Sequence, residues 1–368
     1  MLADELDYVV GVDPHRDTHA LAIVNAATGA ALFEAEVAAS ERGYAQALRL
    51  AEREAPRRRA WAIEGTGSYG AGLARFLAAR GERVLEVGRT RRERRSHAKS
   101  DALDALQAAR SVLGEAKHAA PRAAGEREAL RALMVARAGA LAAKKAGLCQ
   151  LRALLVTCPE PLRSELRSLT RARLLRRLRA VRPDRHRDAE LRGTLIALRA
   201  LARRVQALTA EERELKREIE ALVAKLAPAL LDEPGVGPVA AAQVLISWSH
   251  RGRFRSEAAF ARLAGAAPIP ASSGLVLRHR LDPGGDRQLN RALHAIILSR
   301  RKNHAPTISY IERKTREARA CARRPVASSA TSPATSSACS RQARWRLDTH
   351  RSIPKKWSSN TRDAAVFP

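Results

Sequence analysis

Short apolar runs alternate with amphipathic segments over the first third of the chain. Four runs have the length and composition of β-strands, at residues 8–12, 20–24, 61–64 and 83–87. Helical spacing of apolar residues lies between them, at 44–54 and 69–79, and Thr28-Gly29 supplies a hairpin turn between the second and third strands. This alternation predicts a compact α/β domain over residues 1–118.

The middle of the chain, residues 119–228, has a purely helical pattern. Two long segments at about 122–157 and 186–227 are separated by prolines. In the second, apolar residues recur at alternating steps of three and four, broken only by Glu212: Leu198, Leu201, Val205, Leu208, Leu215, Ile219, Leu222 and Leu226. This seam predicts a coiled coil, either between chains or within a helical hairpin, that mediates dimerisation. The alternative is an amphipathic helix packed on its own domain.

A smaller, mainly helical domain is predicted over residues 229–324. Its Pro-Gly-Val-Gly-Pro segment resembles a helix-hairpin-helix turn, in which the N–H groups of Gly235 and Gly237 could hold a DNA phosphate. A tight turn that needs glycine for its backbone conformation is the alternative. From residue 325 the composition changes to Ser, Thr and Pro and then to a patternless basic end. We interpret 325–368 as disordered or as the product of a reading-frame shift.

The net charge of the chain indicates what kind of partner it binds. Lys and Arg number 67 against 38 Asp and Glu, which gives a formal net charge of +29. An excess of this size predicts a polyanionic partner, and the 4% aromatic content indicates backbone contacts rather than extensive base stacking. The basic segments 89–99, 163–187 and 278–301 are candidates for these contacts. The individual basic residues that we assign to them are Arg91, Arg92, Arg94, Arg95, Lys99, Arg278 and Arg280.

Cysteine usage and hydropathy exclude other classes of protein. The four cysteines have neither the spacing of a disulfide framework nor that of a zinc site. The chain has no apolar run long enough to cross a membrane, and its acidic start is unlike a secretory signal. We therefore expect a soluble cytoplasmic protein.

Four acidic residues occupy positions from which their carboxylates could take part in catalysis. Asp13 follows the first strand, Glu64 ends another, and Asp101 and Asp104 are three residues apart on a predicted helix with Ser100 as its N-cap. Acids on such elements can converge at a sheet edge and hold divalent cations for phosphoryl transfer. Taken singly, each is better explained as a solvated acid at a strand end or helix N-terminus.

The segments around these acids resemble those of a known family. Gly-Val-Asp13-Pro-His-Arg-Asp, Ala-Ile-Glu64-Gly-Thr-Gly-Ser-Tyr and Lys-Ser-Asp101-Ala-Leu-Asp104-Ala are similar to the DEDD tetrad of the IS-one-ten family of insertion-sequence transposases. The resemblance implies an RNase H-like (RuvC-like) N-terminal domain. It also implies that the four acids bind a divalent metal, for which we expect Mg²⁺, at the DNA phosphate.

The resemblance extends into the predicted C-terminal domain. The segments 234–241, 263–268, 272–274 and 285–293 are similar to the family's second domain. The family's nucleophilic serine precedes a glycine there, which points to Ser273, with Ser272 as the fallback. From the residues alone, Ser273 is a loop serine with no base beside it in sequence.

A function follows from the resemblance. It implies a recombinase that excises and inserts its own element through a covalent serine–DNA intermediate, guided by a structured noncoding RNA. We expect a dimer or tetramer in the bacterial cytoplasm, associated with the nucleoid. Two alternatives stay open: a metal-dependent nuclease or junction resolvase that uses water, and an inactive DNA-binding relic whose altered C-terminus has cost it activity.

Overall fold

The chain forms two compact units in a computed structural model. Unit 1 comprises Met1–Ala124 with Ser249–Arg253, and unit 2 comprises Gly125–Trp248 with Phe254–Pro368. The structure describes residues 2–88, 100–114, 120–121, 124–185, 188–250, 253–254, 256–267, 269–271, 279–280 and 282–323. The segment predicted as a disordered or frame-shifted tail, residues 325–368, lies wholly outside these residues.

Unit 1 is built on a mixed five-stranded sheet. The strands are β1 Tyr8–Pro14, β2 Thr18–Asn25, β3 Ala31–Ala38, β4 Arg59–Glu64 and β5 Val84–Val87, in the order β3-β2-β1-β4-β5. β2 pairs antiparallel with β1 and β3, whereas β4 pairs parallel with β1 and β5. Since β1 and β4 are parallel neighbours, with Val12 opposite Ile63, the carboxyl ends of both strands lie at one edge of the sheet.

Helices cover both faces of this sheet. They are α1 Leu2–Glu5, α2 Glu41–Glu54, α3 Ala71–Ala78 and α4 Asp101–Leu113. Successive strand residues point to opposite faces, so Val9 and Ala62 pack with α4, whereas Val10 and Trp61 pack with α2 and α3. The α/β prediction is confirmed.

The predicted hairpin turn lies between β2 and β3. Asn25 Oδ1 accepts hydrogen bonds from the backbone N–H of Ala27, at 3.0 Å, and of Thr28, at 3.1 Å. Gly29 takes a positive φ of 68°, which glycine adopts without strain. β3 has no apolar run, because this edge strand exposes much of its length and carries Glu34 and Glu36.

In its described residues, unit 2 is helical apart from one short strand pair. Its elements are α5 Glu126–Thr157, α6 Leu162–Arg167, α7 Arg171–Arg179, α8 Ala189–Leu226, α9 Pro228–Leu231, α10 Pro238–Trp248, α11 Glu257–Leu263, α12 Arg287–Asn303 and α13 Ala305–Arg323, with strands β6 Ile269–Pro270 and β7 His279–Arg280. None of the described helices is both long and apolar enough to span a membrane.

The two long helices pack against each other as an antiparallel hairpin. Near one end Leu130 of α5 packs with Ile219 of α8, and near the other Leu151 packs with Leu198. The α8 seam that the sequence revealed therefore contacts α5 of the same chain. Association between chains stays a prediction.

Glu212, the only break in that seam, lies opposite two cations of α5. Arg137 Nη2 lies 2.9 Å from one carboxylate oxygen and Lys144 Nζ 2.8 Å from the other. The hydrogen bond from Lys144 is the largest effect that lowers the pKa of Glu212 below its usual value, and the positive charges of Lys144 and Arg137 lower it further. The acid is thus a paired member of the hairpin interface rather than a gap in it.

The Pro-Gly-Val-Gly-Pro turn precedes α10 and packs on α12. Buried Arg300 donates from Nε to the carbonyl oxygen of Pro234 at 2.6 Å. Gly235 has a φ of 79°, and a Cβ there would lie 2.9 Å from Arg300 Cγ and 3.0 Å from the carbonyl oxygen of Ile296. Backbone conformation and close packing both require this glycine. A Cβ at Gly237 would meet nothing within 4 Å, and phosphate binding at either glycine stays a prediction.

Candidate metal centre

Two of the four predicted acids converge with a histidine at the carboxyl edge of β1. His15 Nε2 lies 3.0 Å from Asp13 Oδ2 and 3.5 Å from Asp101 Oδ1. One ligand atom from each of the three residues lies within 4.8 Å of the others. The Asp13 side chain is 16% exposed, and those of His15 and Asp101 are 43% and 49% exposed. This acid cluster is therefore anchored in the fold and open to solvent.

Local sequence explains how the acids reach one place. The four residues before Asp13 are buried in the sheet, so the carboxylate emerges where the apolar run ends. Asp101 is the first residue of α4, and Ser100 is its N-cap with extended backbone, as predicted, although the hydroxyl makes no capping hydrogen bond. α4 then lies directly on β1.

Gly11 allows that close approach. A Cβ at this position would lie 2.0 Å from the carbonyl oxygen of Ala105 and 2.7 Å from the nitrogen of Ala109. No side chain fits in that space, so α4 can lie this close to β1 only because residue 11 is glycine. The same contact sets the separation of Asp13 and Asp101.

Glu64 and Asp104 lie close by in the fold but outside the three-residue group. Glu64 is the last residue of β4, directly after Ile63, which pairs with Val12. Asp104 is exposed on α4, one turn after Asp101. Both stand on elements that flank β1, and their part in metal binding stays a prediction.

His15 is a site residue that the sequence reasoning missed. It lies two residues after Asp13, in a motif whose aspartate alone has a predicted role. The available signal was an Asp-x-His spacing at a strand end, where both side chains can turn toward one ligand. Two carboxylates and an imidazole suit a divalent cation, since carboxylates bind Mg²⁺ and Mn²⁺, and imidazole binds Mn²⁺ and its heavier neighbours.

A second histidine lies behind this edge of the sheet. His19 of β2 is fully buried, stacks on Tyr44 at a centroid distance of 5.6 Å, and hydrogen-bonds through Nδ1 to the Thr18 carbonyl oxygen at 2.9 Å. Burial lowers its pKa, so the ring is neutral near pH 7. It adds no positive charge behind the acid cluster.

The predicted nucleophile lies outside the described residues. So do Ser272, Arg278 and the basic residues of the segment before α4: Arg91, Arg92, Arg94, Arg95 and Lys99. The chain around the serines is bracketed by β6 and β7, which pair with Ile269 opposite Arg280 and Pro270 opposite His279. Ser273 therefore belongs to the segment that connects two adjacent strands, and Arg280 is exposed at its end.

Side chains of the Gly285 to Leu293 segment hold the start of α12 against α10 and the end of α11. Asp286 caps α12 by accepting hydrogen bonds from the backbone N–H of Gln288 and Leu289, both at 3.0 Å, and accepts another from Ser247 Oγ at 2.7 Å. Asn290 Nδ2 donates to the Ala264 carbonyl oxygen at 2.9 Å. Asp286 and Asn290 of this segment thus have structural partners.

Comparison with protein families covers both units. Residues 10–159 match the family model for the DEDD transposase of the IS110 type, and residues 227–312 match the model described as Transposase IS116/IS110/IS902 family. This chain belongs to the IS110 family of transposases. The resemblance drawn from its motifs is confirmed.

A curated relative of this IS110-family chain comes from Streptomyces coelicolor. It is described as insertion element IS110 uncharacterized 43.6 kDa protein and is 38% identical over 105 residues, an alignment that covers 27% of this chain and 26% of the relative. The chain thus spans about a quarter of the relative that it matches. All four predicted acids and His15 lie within the DEDD match, and Ser273 lies within the second. A DEDD transposase domain implies a divalent metal, and the acid cluster has ligands that suit one.

Proposed function

We propose that this IS110-family protein is a DNA transposase that excises and inserts an insertion-sequence element. The observation that carries the proposal is the convergence of Asp13, His15 and Asp101 within the segment matched by the DEDD model. We also assign unit 1 to the RNase H-like (RuvC-like) fold, supported by its mixed sheet with helices on both faces. The charge of +29 supports DNA as a partner.

Each acid has a distinct part in this proposal. Asp13 and Asp101, with His15 between them, would hold one divalent cation, which we take to be Mg²⁺. Glu64 at the end of β4 and Asp104 on α4 would complete the tetrad. When bound, the cation neutralises phosphate charge and activates an oxygen nucleophile. Exposure of Asp101 and Asp104 leaves the edge open to a DNA backbone.

Ser273 is the proposed nucleophile, with Ser272 as the fallback. Its hydroxyl oxygen would form a bond to phosphorus and lose its proton, while the phosphorus–oxygen bond of the DNA strand breaks and the departing deoxyribose oxygen gains a proton. The product is a phosphoserine ester, and the reverse step joins a new strand end. Support comes from the family resemblance and from the match over residues 227–312.

Guidance by a noncoding RNA and assembly as a dimer or tetramer complete the proposal. The RNA is supported by the family resemblance together with an arginine-rich chain that can bind the backbone of either nucleic acid. An even number of subunits fits the synapsis of two DNA partners. The α5–α8 hairpin is our candidate for the coiled-coil contact between subunits.

One observation favours a second candidate function. The acid cluster lies wholly within unit 1, so a metal-dependent nuclease that uses water would need no residue from the serine segment. Such an enzyme would release cleaved DNA without any protein–DNA bond.

A covalent trapping assay separates the two functions. Purified protein, Mg²⁺, total RNA from a host that carries the element and labelled DNA across the element junction are run on a denaturing gel, beside Ser273→Ala and Asp104→Ala. We expect a labelled protein band that both variants lose. Free cleaved DNA that requires Asp104 but not Ser273 would show the hydrolytic nuclease instead. No product from a folded protein would contradict both and favour the inactive relic.

A further inference from the structure

An exposed aromatic side chain follows Glu64 and has no part in the chemistry proposed above. Tyr69 is 59% exposed, and it has neither a hydrogen bond nor a ring contact with any described residue. Every other Phe, Trp or Tyr in the part of the chain that the structure describes is buried or half-buried. Exposure of this ring to water forgoes the free energy that burial would contribute, and no contact within unit 1 offsets it.

The turn that carries Tyr69 is tightly built. Gly65 takes a positive φ of 65°, and its carbonyl oxygen accepts hydrogen bonds from the backbone N–H of Ser68 at 2.8 Å and from Ser68 Oγ at 3.0 Å. Thr66 is buried beneath the turn. The backbone that carries the exposed ring is therefore fixed by this turn, so less entropy is lost when a ligand binds the ring.

Gly70 places this turn beside the acid cluster. A Cβ at Gly70 would lie 2.8 Å from Ile63 Cγ2, 3.2 Å from the Glu64 carbonyl oxygen and 3.2 Å from Pro14 Cγ. The turn thus folds back onto the end of β4 and onto the residue that follows Asp13. Tyr69 precedes Gly70, so its backbone is one residue from this contact.

We propose that Tyr69 is a nucleotide-binding residue whose ring stacks on an unpaired DNA base next to the phosphate held at the acid cluster. This inference rests on the proposed function and adds a contact to it. An exposed ring on an ordered turn can stack on any base, because every base has a π-face. A base within a duplex is already stacked, so the ligand is a single-stranded or flipped nucleotide. A Cβ at nearby Gly67 would meet nothing within 4 Å, so space for a base is open there.

The test is equilibrium binding of a single-stranded oligonucleotide that contains 2-aminopurine, and of its duplex, to the full-length protein in Mg²⁺. The oligonucleotide is checked for integrity after each titration. We expect Tyr69→Ala to weaken single-strand binding roughly 5- to 100-fold and to remove the stacking-induced quenching of 2-aminopurine. Tyr69→Phe should keep both, and duplex affinity should change less. Leu32→Ala is the matched control, because Leu32 is also an exposed apolar residue of unit 1 and lies on the edge strand β3.

Three outcomes would overturn the inference. Equal binding and quenching by wild type and Tyr69→Ala would show that the ring does not contact a base. A loss in Tyr69→Phe as large as that in Tyr69→Ala would assign the effect to the hydroxyl group rather than to stacking. If the wild-type protein binds neither single-stranded nor duplex DNA, the proposed function fails together with this inference, and that result differs from the other two.

Discussion

His15 lies between two carboxylates that are far apart in the sequence and adjacent in the fold. Its Nε2 atom is 3.0 Å from Asp13 and 3.5 Å from Asp101. A nitrogen so placed can either donate to these oxygens or join them as a metal ligand, according to its protonation state. Because it lies among the ligand atoms, its removal should change how the acid cluster binds a cation.

We expect His15→Gln to weaken Mn²⁺ binding at least tenfold, because the variant loses the imidazole nitrogen while it keeps both carboxylates. Isothermal titration calorimetry of the purified protein measures the affinity directly. Arg16→Gln is the neighbouring control, since the Arg16 side chain is exposed and pairs with Asp17. Equal affinity in wild type and His15→Gln would place His15 outside the metal centre.

At the scale of elements, the position of α4 on β1 decides whether the acids meet. The contact depends on Gly11 and on small residues of α4 such as Ala105 and Ala109, all of them packed without space between them. Overfilling such a contact forces the elements apart. Stability and metal binding should therefore fail together at this point.

Gly11→Ala should lower the free energy of unfolding by about 1–3 kcal/mol or more, and should also weaken Mn²⁺ binding, because the added methyl group moves α4 and Asp101 away from β1. Chemical denaturation and calorimetry check the two effects. Gly88→Ala is the control, since a Cβ there would meet nothing within 4 Å. A Gly11→Ala protein with wild-type stability would contradict the packing argument.

Glu212 makes the α5–α8 hairpin sensitive to acid. Its pKa is lowered in the folded protein, so its contribution to stability is present above the usual glutamate pKa and is lost as the pH falls through the folded value. As the pH is lowered below about 4.5, we expect the melting temperature of the wild type to decrease more steeply than that of Glu212→Gln. Glu218→Gln, at an exposed position on α8, should keep the wild-type dependence. Parallel pH profiles for wild type and Glu212→Gln would be evidence against this pairing.

The sequence predicted those elements whose burial leaves a periodic pattern. β1, β2, β4 and β5 are apolar runs because both of their faces are covered, and α8 has a seam because one face packs on α5. β3 escaped this reasoning because an exposed edge strand has no such run. The Asp13–His15–Asp101 contact could not be derived, since it depends on how closely α4 approaches β1, and no local pattern encodes that distance. The tetrad was recognised by resemblance, not by geometry.

On the scale of the whole molecule, positive charge is distributed unevenly. Five of the nine residues of α7 are arginines, and the helix has no acid, whereas α8 intersperses its basic residues with glutamates. Arginines near a helix N-terminus and one turn apart destabilise the helix that carries them. Arg177 is paired with Glu165 at 2.7 Å, but Arg173 and Arg176 have no described carboxylate partner. A phosphate backbone would supply one.

We expect DNA affinity to fall steeply with salt and the double variant Arg173→Gln/Arg176→Gln to reduce the slope of log K against log salt by about 1.8, since each phosphate contact contributes about 0.9. Fluorescence anisotropy at several salt concentrations measures the slope. Arg213→Gln/Arg217→Gln replaces two exposed arginines of α8 and should leave it unchanged. Equal slopes in all three proteins would show that α7 does not contact the DNA backbone.

The antiparallel hairpin of α5 and α8 also fixes the distance between the two apolar clusters at its ends. Leu151, which packs near α7, lies twenty-one residues along α5 from Leu130, which packs near α10. At a rise of 1.5 Å per residue this is about 31 Å, close to one turn of B-DNA at about 34–36 Å. The number of helical residues between the two ends therefore determines the distance between them. Removing one heptad from each helix would preserve the seam and shorten the span by about 10 Å, so the distance between the two ends of the hairpin can be changed in steps of known size.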